Sequence, residues 1–291
     1  MAEFVTYTPA CYQAVCDFLT ELNRDEKNHI NWNWARFEWM AEHPEFDKSL
    51  MDSIGLWTDG GRVVGAAIYD MYFGEGFCGA LPAYDDLYPE ILAYAYDYLR
   101  DDAGFGFAVC DDDTGLAKAA RHAGFAPAEQ TETMMRIDLD REWNAALPEG
   151  FAFAQLDPAK ELYDFLWLLW QGFDHGTDRA AFERENETDQ PIERLRAHFN
   201  PYLSVAAVDR SGEKAAYCCL WYSDATDYAY VEPVCTVPAF RGRGISKAVI
   251  YEALRRAKTL GAKSAYVISD MEFYRKLGFE TDKTFTFWWK K

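Results

Sequence analysis

The sequence lacks long apolar runs and has few basic residues. No apolar stretch among its 291 residues approaches the length of a membrane-spanning helix, and no leader pattern precedes a cleavage site. Lys and Arg number 29 against 48 Asp and Glu, so the formal net charge is −19, which disfavours nucleic acid and acidic membranes as partners. We therefore expect a cytoplasmic protein that acts on small molecules, with amines favoured by the charge; the alternative is that the charge serves only solubility.

Cysteine is present, but it lacks the spacing of a disulfide framework or a metal centre. The chain has seven cysteines, an odd number, without the spaced Cys and His residues of a zinc site. Adjacent Cys218 and Cys219 would point to opposite faces of a strand, which suits buried thiols. We therefore expect neither a disulfide nor a bound metal.

An internal repeat dominates the organisation of the chain. The periodicity predicts strand, two helices, three antiparallel strands, helix, strand, helix and strand over residues 1–140, and the same order over 151–291. Three pairs of landmarks recur at offsets of about 150 residues: Pro9 and Pro158, Gly61 and Gly212, Gly124-Phe125 and Gly278-Phe279. The polar segment 141–150 separates the copies as a linker. The sequence therefore predicts two tandem domains, 1–140 and 151–291.

The stretch from Tyr228 to Ser246 carries the strongest functional signal. An apolar strand pattern ends near Pro238, and the glycine-spaced basic loop Arg241-Gly242-Arg243-Gly244 then opens a helical pattern that runs to Leu260. Glycines allow tight turns that turn N–H groups outward, and a helix start adds a positive dipole end. This combination predicts a site for a polyanion such as a pyrophosphate. The alternative is that the arginines are plain solvated charges.

Two motifs in the second copy resemble those of the GNAT acyltransferase superfamily. The Q/R-x-x-G-x-G/A motif of that family corresponds to Arg241–Ser246, with serine at the last position. Its aromatic-Tyr pair before Gly-Phe corresponds to Phe273-Tyr274 before Gly278-Phe279. The asparagine often found upstream has no clear counterpart, Ser269 and Asp270 being nearest.

The resemblance covers residues 151–291 by these motifs and 1–140 by element order alone. It implies an α+β fold made of two tandem GNAT-like domains, each a mixed, mostly antiparallel twisted sheet flanked by helices. The first copy has Asp85 and Asp86 at the loop position and Ala120 at the position of Tyr274. We therefore expect the first copy to lack both the cofactor loop and the chemistry.

The resemblance also implies acetyl-coenzyme A as co-substrate. Its pantetheine would pair with a strand backbone like an added strand, and its pyrophosphate would bind amides of the loop. The implied cofactor-binding residues are Val234, Cys235, Thr236, Arg241, Gly242, Arg243, Gly244, Ile245 and Ser246. The implied function is an N-acetyltransferase that acts on a small, cationic amine by direct transfer in a ternary complex.

Such a transfer needs a deprotonated amine and a proton for the departing thiolate. Tyr274 matches the usual general acid of the family. A phenol suits this role, because its pKa is near that of the thiol; the alternative is that the ring only packs under the sheet. Glu232, a carboxylate in an apolar strand, is the candidate base, because burial would raise its pKa. It is equally a candidate structural carboxylate or amine anchor, and ordered water can replace it as base.

The acceptor is the least defined part of the prediction. The acidic and aromatic connection 172–190 supplies Asp174 and His175 as candidate contacts, and the last strand supplies Trp288; a solvated acidic face is the alternative. The alternative function is a non-catalytic acyl-coenzyme A-binding or ligand-sensing module. A transferase that uses charged tRNA is disfavoured by the net charge. We expect a monomer or a homodimer.

Overall fold

The structure is a computed structural model that describes residues 2–24, 30–43, 46–186 and 198–291. The strands are β1 Glu3–Thr6, β2 Gly55–Asp59, β3 Arg62–Asp70, β4 Tyr72–Ala80, β5 Phe105–Cys110, β6 Ala126–Asp138, β7 Phe151–Gln155, β8 Ser204–Asp209, β9 Lys214–Tyr222, β10 Tyr228–Thr236, β11 Ser264–Ile268 and β12 Glu280–Lys290. The helices are α1 Tyr12–Leu22, α2 Trp34–Glu42, α3 Tyr88–Tyr98, α4 Thr114–His122, α5 Leu162–Gly172, α6 Arg179–Glu185, α7 Ile245–Leu260 and α8 Glu272–Leu277. None of the described helices combines the length and apolar character that crossing a bilayer requires.

The chain divides into two compact units. The first contains residues 1–135, 268–274 and 281–291, and the second contains 136–267 and 275–280. In the first unit the strand order is β1-β2-β3-β4-β5-β12-β6, and in the second it is β11-β10-β9-β8-β7. Both sheets are mixed, because β4 with β5 and β10 with β11 are parallel whereas the meanders before them are antiparallel. The predicted α+β fold with two copies of one domain type is confirmed.

The repeat extends to backbone conformation. Gly61 and Gly212 have φ of +81° and +88° in the turns between β2 and β3 and between β8 and β9. Gly124 and Gly278 have φ of +89° and +97°, and each precedes a phenylalanine that is 2% exposed. Positive φ at matching positions is a backbone requirement that glycine meets at low cost. The landmarks therefore repeat for a physical reason, not by chance of composition.

The last strand does not follow the predicted division. The sequence assigned all of 151–291 to the second domain, whereas β12 lies in the first unit between β5 and β6. It pairs antiparallel with β5 over six positions, from Phe285 opposite Cys110 to Lys290 opposite Phe105. Sequence order alone could not reveal this, because a strand pattern does not identify the strand that will pair with it.

Side chains along β5 explain why it accepts β12. A Cβ on Gly106 would lie 2.4 Å from the ring of Trp289, so only glycine leaves room for that indole. The hydroxyls of Thr284 and Thr286 donate to the carboxylate of Asp111 at 2.6 and 2.7 Å. These contacts fix the register of β12 inside the first unit.

Most predicted helices and strands are confirmed, and the differences have local causes. The sequence placed α6 within the connection 172–190, because this helix has only seven residues and most of them are polar. Its N-cap is Asp178, whose Oδ1 accepts from the N–H groups of Ala180 and Ala181 at 2.9 and 3.3 Å. The second helix of the second copy, which the periodicity predicts over 192–199, falls almost wholly outside the described residues.

Candidate functional site

Strand β10 leaves its parallel neighbour partway along its length. It pairs with β11 over Tyr228–Tyr230 only, while on its other side it stays paired with β9 as far as Thr236. A register shift in the β9 pairing between Val231 and Val234 encloses Pro233, which has no N–H to donate. The last residues of β10 are therefore free of β11 on one side, where an extended ligand can add like a strand.

The loop between β10 and α7 presents backbone N–H groups. Gly242 and Gly244 have φ of +73° and +77°, and a Cβ on either would meet no atom within 4 Å. Both glycines are therefore required by conformation rather than by crowding. Gly244 is the N-cap of α7, and the first turn of this 16-residue helix has no acidic residue. Exposed amides at the positive end of a helix attract an anion.

The side chain of Arg241 fixes the loop to two neighbouring elements. Its Nε donates to the carbonyl of Thr236 at 3.0 Å, and its Nη2 donates to the carbonyl of Gly172 at 2.9 Å and to Oδ2 of Asp174 at 3.0 Å. Because Gly172 ends α5, the guanidinium also offsets the negative end of that helix. Arg241 is thus anchored, not a free solvated charge.

Two further contacts hold the loop in place. The guanidinium of Arg243 lies 4.7 Å from the ring centroid of Phe151 and 5.8 Å from that of Phe240, within cation–π range. The hydroxyls of Thr236 and Ser246 are 2.5 Å apart and join the end of β10 to the first turn of α7. The serine that departs from the family motif therefore has a structural partner.

The remaining predicted cofactor-binding residues are buried or half-buried. Cys235 is buried against Gly172, where a Cβ would lie 2.5 Å from its Sγ. Burial raises the pKa of Cys235 to about 12, so its thiol is neutral near pH 7 and is no nucleophile. Val234 is half-buried, and Ile245 is 1% exposed at the start of α7.

Asp174 and His175, predicted as acceptor contacts, terminate α5. Asp174 has φ +66° and donates its N–H to Gln171 at 3.2 Å, and the N–H of His175 donates to Trp170 at 3.0 Å. The imidazole also stacks on the Trp170 ring with centroids 4.9 Å apart. This is the left-handed ending that commonly closes a helix. A role toward the acceptor stays a prediction for both residues.

Glu232 lies in the interrupted part of β10 and is half-buried. Its carbonyl accepts a hydrogen bond from Nε1 of Trp221 at 2.8 Å, which fixes the backbone there. Burial raises the pKa of Cys219 to about 12, and the charge of Glu232 adds to that shift. The carboxylate is therefore close to the buried thiols of β9. Its role as base stays a prediction.

Tyr274 and Trp288 belong to the first unit. Tyr274 lies in α8, is 8% exposed and packs edge-on against Phe273 with centroids 5.2 Å apart. Trp288 is 6% exposed, lies opposite Phe107 in the sheet, and has the guanidinium of Arg121 5.3 Å from its ring. Trp288 is therefore a core residue of that unit. The acid role of Tyr274 and the acceptor role of Trp288 stay predictions.

The first unit repeats the divergence of strands without the loop. β4 pairs with β5 only at Glu75 and Gly76, and a cavity of about 470 Å³ borders the freed part of β4. A 3-10 turn over Pro82–Leu87 replaces the glycine loop, with Asp85 in its first turn. Asp112 also lines the cavity. Carboxylates therefore occupy the mouth where a pyrophosphate would need donors.

Sequence reasoning missed two residues that shape the site. Gly172 accepts from Arg241 and leaves room for Cys235, and Trp221 fixes the backbone of Glu232. A glycine closing an apolar helix pattern is a detectable signal of close packing. A tryptophan in a buried strand needs an acceptor for its N–H, but sequence does not identify that acceptor.

Comparison with known proteins agrees with this geometry. Residues 159–279 match the model of the acetyltransferase (GNAT) family, which includes β10, the loop, α7 and α8. No curated protein sequence matches the chain.

Solved structures share the fold over nearly the whole chain. A GCN5-related N-acetyltransferase from Sphaerobacter thermophilus is 15% identical with a TM-score of 0.61, and the match covers 99% of this chain and 95% of that protein's chain. A tandem GNAT protein from the clavulanic acid biosynthesis pathway is 17% identical with a TM-score of 0.63, covering 99% and 98%. A GNAT-family acetyltransferase from Colwellia psychrerythraea is 14% identical with a TM-score of 0.53, covering 99% and 100%. At these identities the likeness concerns the fold alone.

Proposed function

We propose that this chain is an acetyl-coenzyme A-dependent N-acetyltransferase of a small, cationic amine, because residues 159–279 match the acetyltransferase (GNAT) family model. The observation that carries the proposal is the loop Arg241–Ser246. Its two positive-φ glycines precede a 16-residue helix whose first turn has no acidic residue. Arg241 ties this loop to the end of α5, and the loop amides would donate to the bound anion.

In this proposal the coenzyme binds the second unit through backbone groups. The pantetheine amides would pair with β10 over Val234–Thr236, on the side that β11 has left. The pyrophosphate would accept from loop amides between Arg241 and Ser246. The anchoring of Arg241 and the bond between Thr236 and Ser246 preorganise that loop, which lowers the entropy lost on binding.

The reaction we propose is a direct transfer within a ternary complex. The amine nitrogen attacks the thioester carbon, the C–S bond breaks, and the acetyl group ends on nitrogen. Tyr274 gives its phenolic proton to the departing thiolate. Glu232, or an ordered water, takes the proton that the amine loses. Soluble small-molecule acceptors suit a chain with a net charge of −19, because a negative surface raises the local concentration of cations.

A thiol-release assay on the full chain tests the proposal. Purified protein is incubated with acetyl-coenzyme A and spermidine, glucosamine, kanamycin or a peptide with a free amine, and free thiol is followed with a chromogenic disulfide. An amine-free reaction is the control for background thiol and for the half-buried Cys11 and Cys110. We expect release above this control with at least one amine. Coenzyme binding by calorimetry with no release for any acceptor would instead favour a non-catalytic binding module.

A further inference from the structure

A groove on the first unit is lined by aromatic rings and carboxylates. It has a volume of about 550 Å³ and lies against β1, β2 and α3. Its aromatic and acidic lining residues are Phe4, Trp57, Tyr94, Tyr98, Asp52 and Glu90. The volume falls within the range that small-molecule pockets usually have. The proposed transfer site uses none of these residues.

The four rings form one continuous wall. The centroids of Phe4 and Tyr94 are 4.9 Å apart, and those of Phe4 and Trp57 are 5.3 Å apart. Tyr94 and Tyr98, one helical turn apart on α3, stack with centroids 4.6 Å apart. Phe4 is 42% exposed and Tyr98 is 60% exposed, so ring surface remains open to solvent. A cluster that only packed β1 onto the sheet would leave less of these rings uncovered.

The wall is held in a fixed position. The hydroxyl of Tyr94 donates to the carbonyl of Ser53 at 3.0 Å. Its ring lies on the backbone of β2, because a Cβ on Gly55 would be 2.6 Å from it. Trp57 is 1% exposed and forms the inner part of the wall. A preformed wall loses little conformational entropy when a ligand binds.

The charge of the groove is negative. Asp52 and Glu90 are exposed, and neither forms an ion pair or hydrogen bond with another residue in the part of the chain that the structure describes. Helix α3 contains no lysine or arginine. Burial raises the pKa of Tyr94, and Tyr98 and Asp52 add to the shift, so the negative potential reaches the ring. The groove therefore disfavours anions.

We propose that this groove binds a small alkylammonium compound, with the ammonium head against the ring faces and between Asp52 and Glu90. Aromatic faces attract cations through their quadrupole, and carboxylates add a direct charge attraction. A neutral ligand of equal shape would gain only apolar contact. An inorganic cation would gain little from the rings, because it keeps its water. The groove thus combines the two features that select an organic ammonium.

Calorimetric titration of the full chain with choline tests this proposal. The matched probe is 3,3-dimethyl-1-butanol, which has the same shape without the charge. We expect choline to bind at one site, and the neutral alcohol to bind at least about tenfold more weakly. Choline binding should weaken as salt is raised, because the carboxylates are exposed. Equal affinity for both probes, or no heat with choline, would overturn the proposal.

Two variants locate the binding. Tyr98→Ala should weaken choline binding about threefold to tenfold, and Glu90→Gln about threefold. The matched controls are Tyr72→Ala, which removes a tyrosine that is 53% exposed elsewhere on the same unit, and Glu129→Gln on β6. All four side chains are exposed, so we expect unchanged unfolding midpoints. Wild-type binding by Tyr98→Ala and Glu90→Gln, or equal losses in the controls, would show that the groove is not the site. Because the readout is binding, failure of the proposed acetyl transfer would not affect this test.

Discussion

Each of the two units contains a sheet in which one strand leaves its parallel neighbour, and the units differ in the segment that connects this strand to the next helix. In the second unit β10 leads to two glycines with positive φ and a helix start without carboxylates. In the first unit β4 leads to a 3-10 turn with Asp85, and Glu90 lies in the first turn of α3. The divergence of strands is therefore a property of the fold, whereas anion binding is a property of the loop.

The largest expected effect comes from giving the second unit the charge of the first. Gly244→Asp places a carboxylate and a Cβ at a position with φ +77°, where it would repel a pyrophosphate by about 4 kcal/mol, or about 1000-fold in affinity. Calorimetry with acetyl-coenzyme A should show one site per chain in the wild type and none in the variant.

The control for that variant is Gly212→Asp. Gly212 has φ +88° and open space around it, so this change adds the same strain and charge in the turn between β8 and β9. We expect its coenzyme affinity to be unchanged. One remaining site in Gly244→Asp would mean that the first unit binds the coenzyme, and the contrast between the two units would fail.

The second prediction concerns the unit to which the last strand, β12, belongs. Trp288→Ala removes a side chain that is 6% exposed in β12, and we expect a loss of about 3 kcal/mol in the free energy of unfolding in urea. Hydrogen exchange should show lost protection in β5, which pairs with β12. Tyr72→Ala, at a tyrosine of β4 that is 53% exposed, is the control with a smaller loss. Lost protection in β10 instead of β5 would contradict the division into units.

The third prediction concerns the general acid that the first copy lacks. Tyr274→Phe should lower turnover about 100-fold, because a general acid contributes 10² or more, and leave acetyl-coenzyme A affinity unchanged. Ala120 occupies the corresponding position in the first copy, so the variant makes the copies alike at this point. Wild-type turnover in this variant would remove Tyr274 from the mechanism.

The smallest expected effect concerns the helix that follows each loop in the chain, α7 in the second unit and α3 in the first. In α7, Arg255 and Arg256 hydrogen-bond the carboxylate of Glu252 at 2.8 Å and hold its pKa below the usual value. Since the folded pKa is lowered, this stability is present above the unfolded pKa of about 4.3 and is lost as pH falls through the folded pKa.

Glu252→Gln should therefore lower the free energy of unfolding by about 1–2 kcal/mol at pH 7, with the difference shrinking below about pH 4. Helix α3 has no lysine or arginine, so it lacks such a network. Glu149→Gln is the control, because Glu149 is 94% exposed in its pair with Arg210, and we expect a change below about 0.5 kcal/mol. A difference from wild type that stays constant down to pH 3 would rule out the titration of Glu252 as its cause.

The fold class, the repeat and the loop could be predicted from local patterns in the amino-acid sequence. Alternation and helical periodicity gave most strands and helices, because burial of one face leaves a periodic trace. The glycines at 61, 124, 212, 242, 244 and 278 were informative, because all have positive φ and conformational requirements are local. The motif from Arg241 to Ser246 was readable for the same reason.

The contacts between residues far apart in the chain became visible only in the folded protein. β12 joins the first unit because Gly106 admits Trp289 and Asp111 accepts from two threonines. Arg241 reaches α5, where Asp174 proves to be part of a helix ending. The groove beside β1 gathers Phe4, Trp57 and Tyr94 from distant segments. Such contacts depend on packing between distant parts of the chain. The periodicity of a segment does not reveal which other segment it will contact.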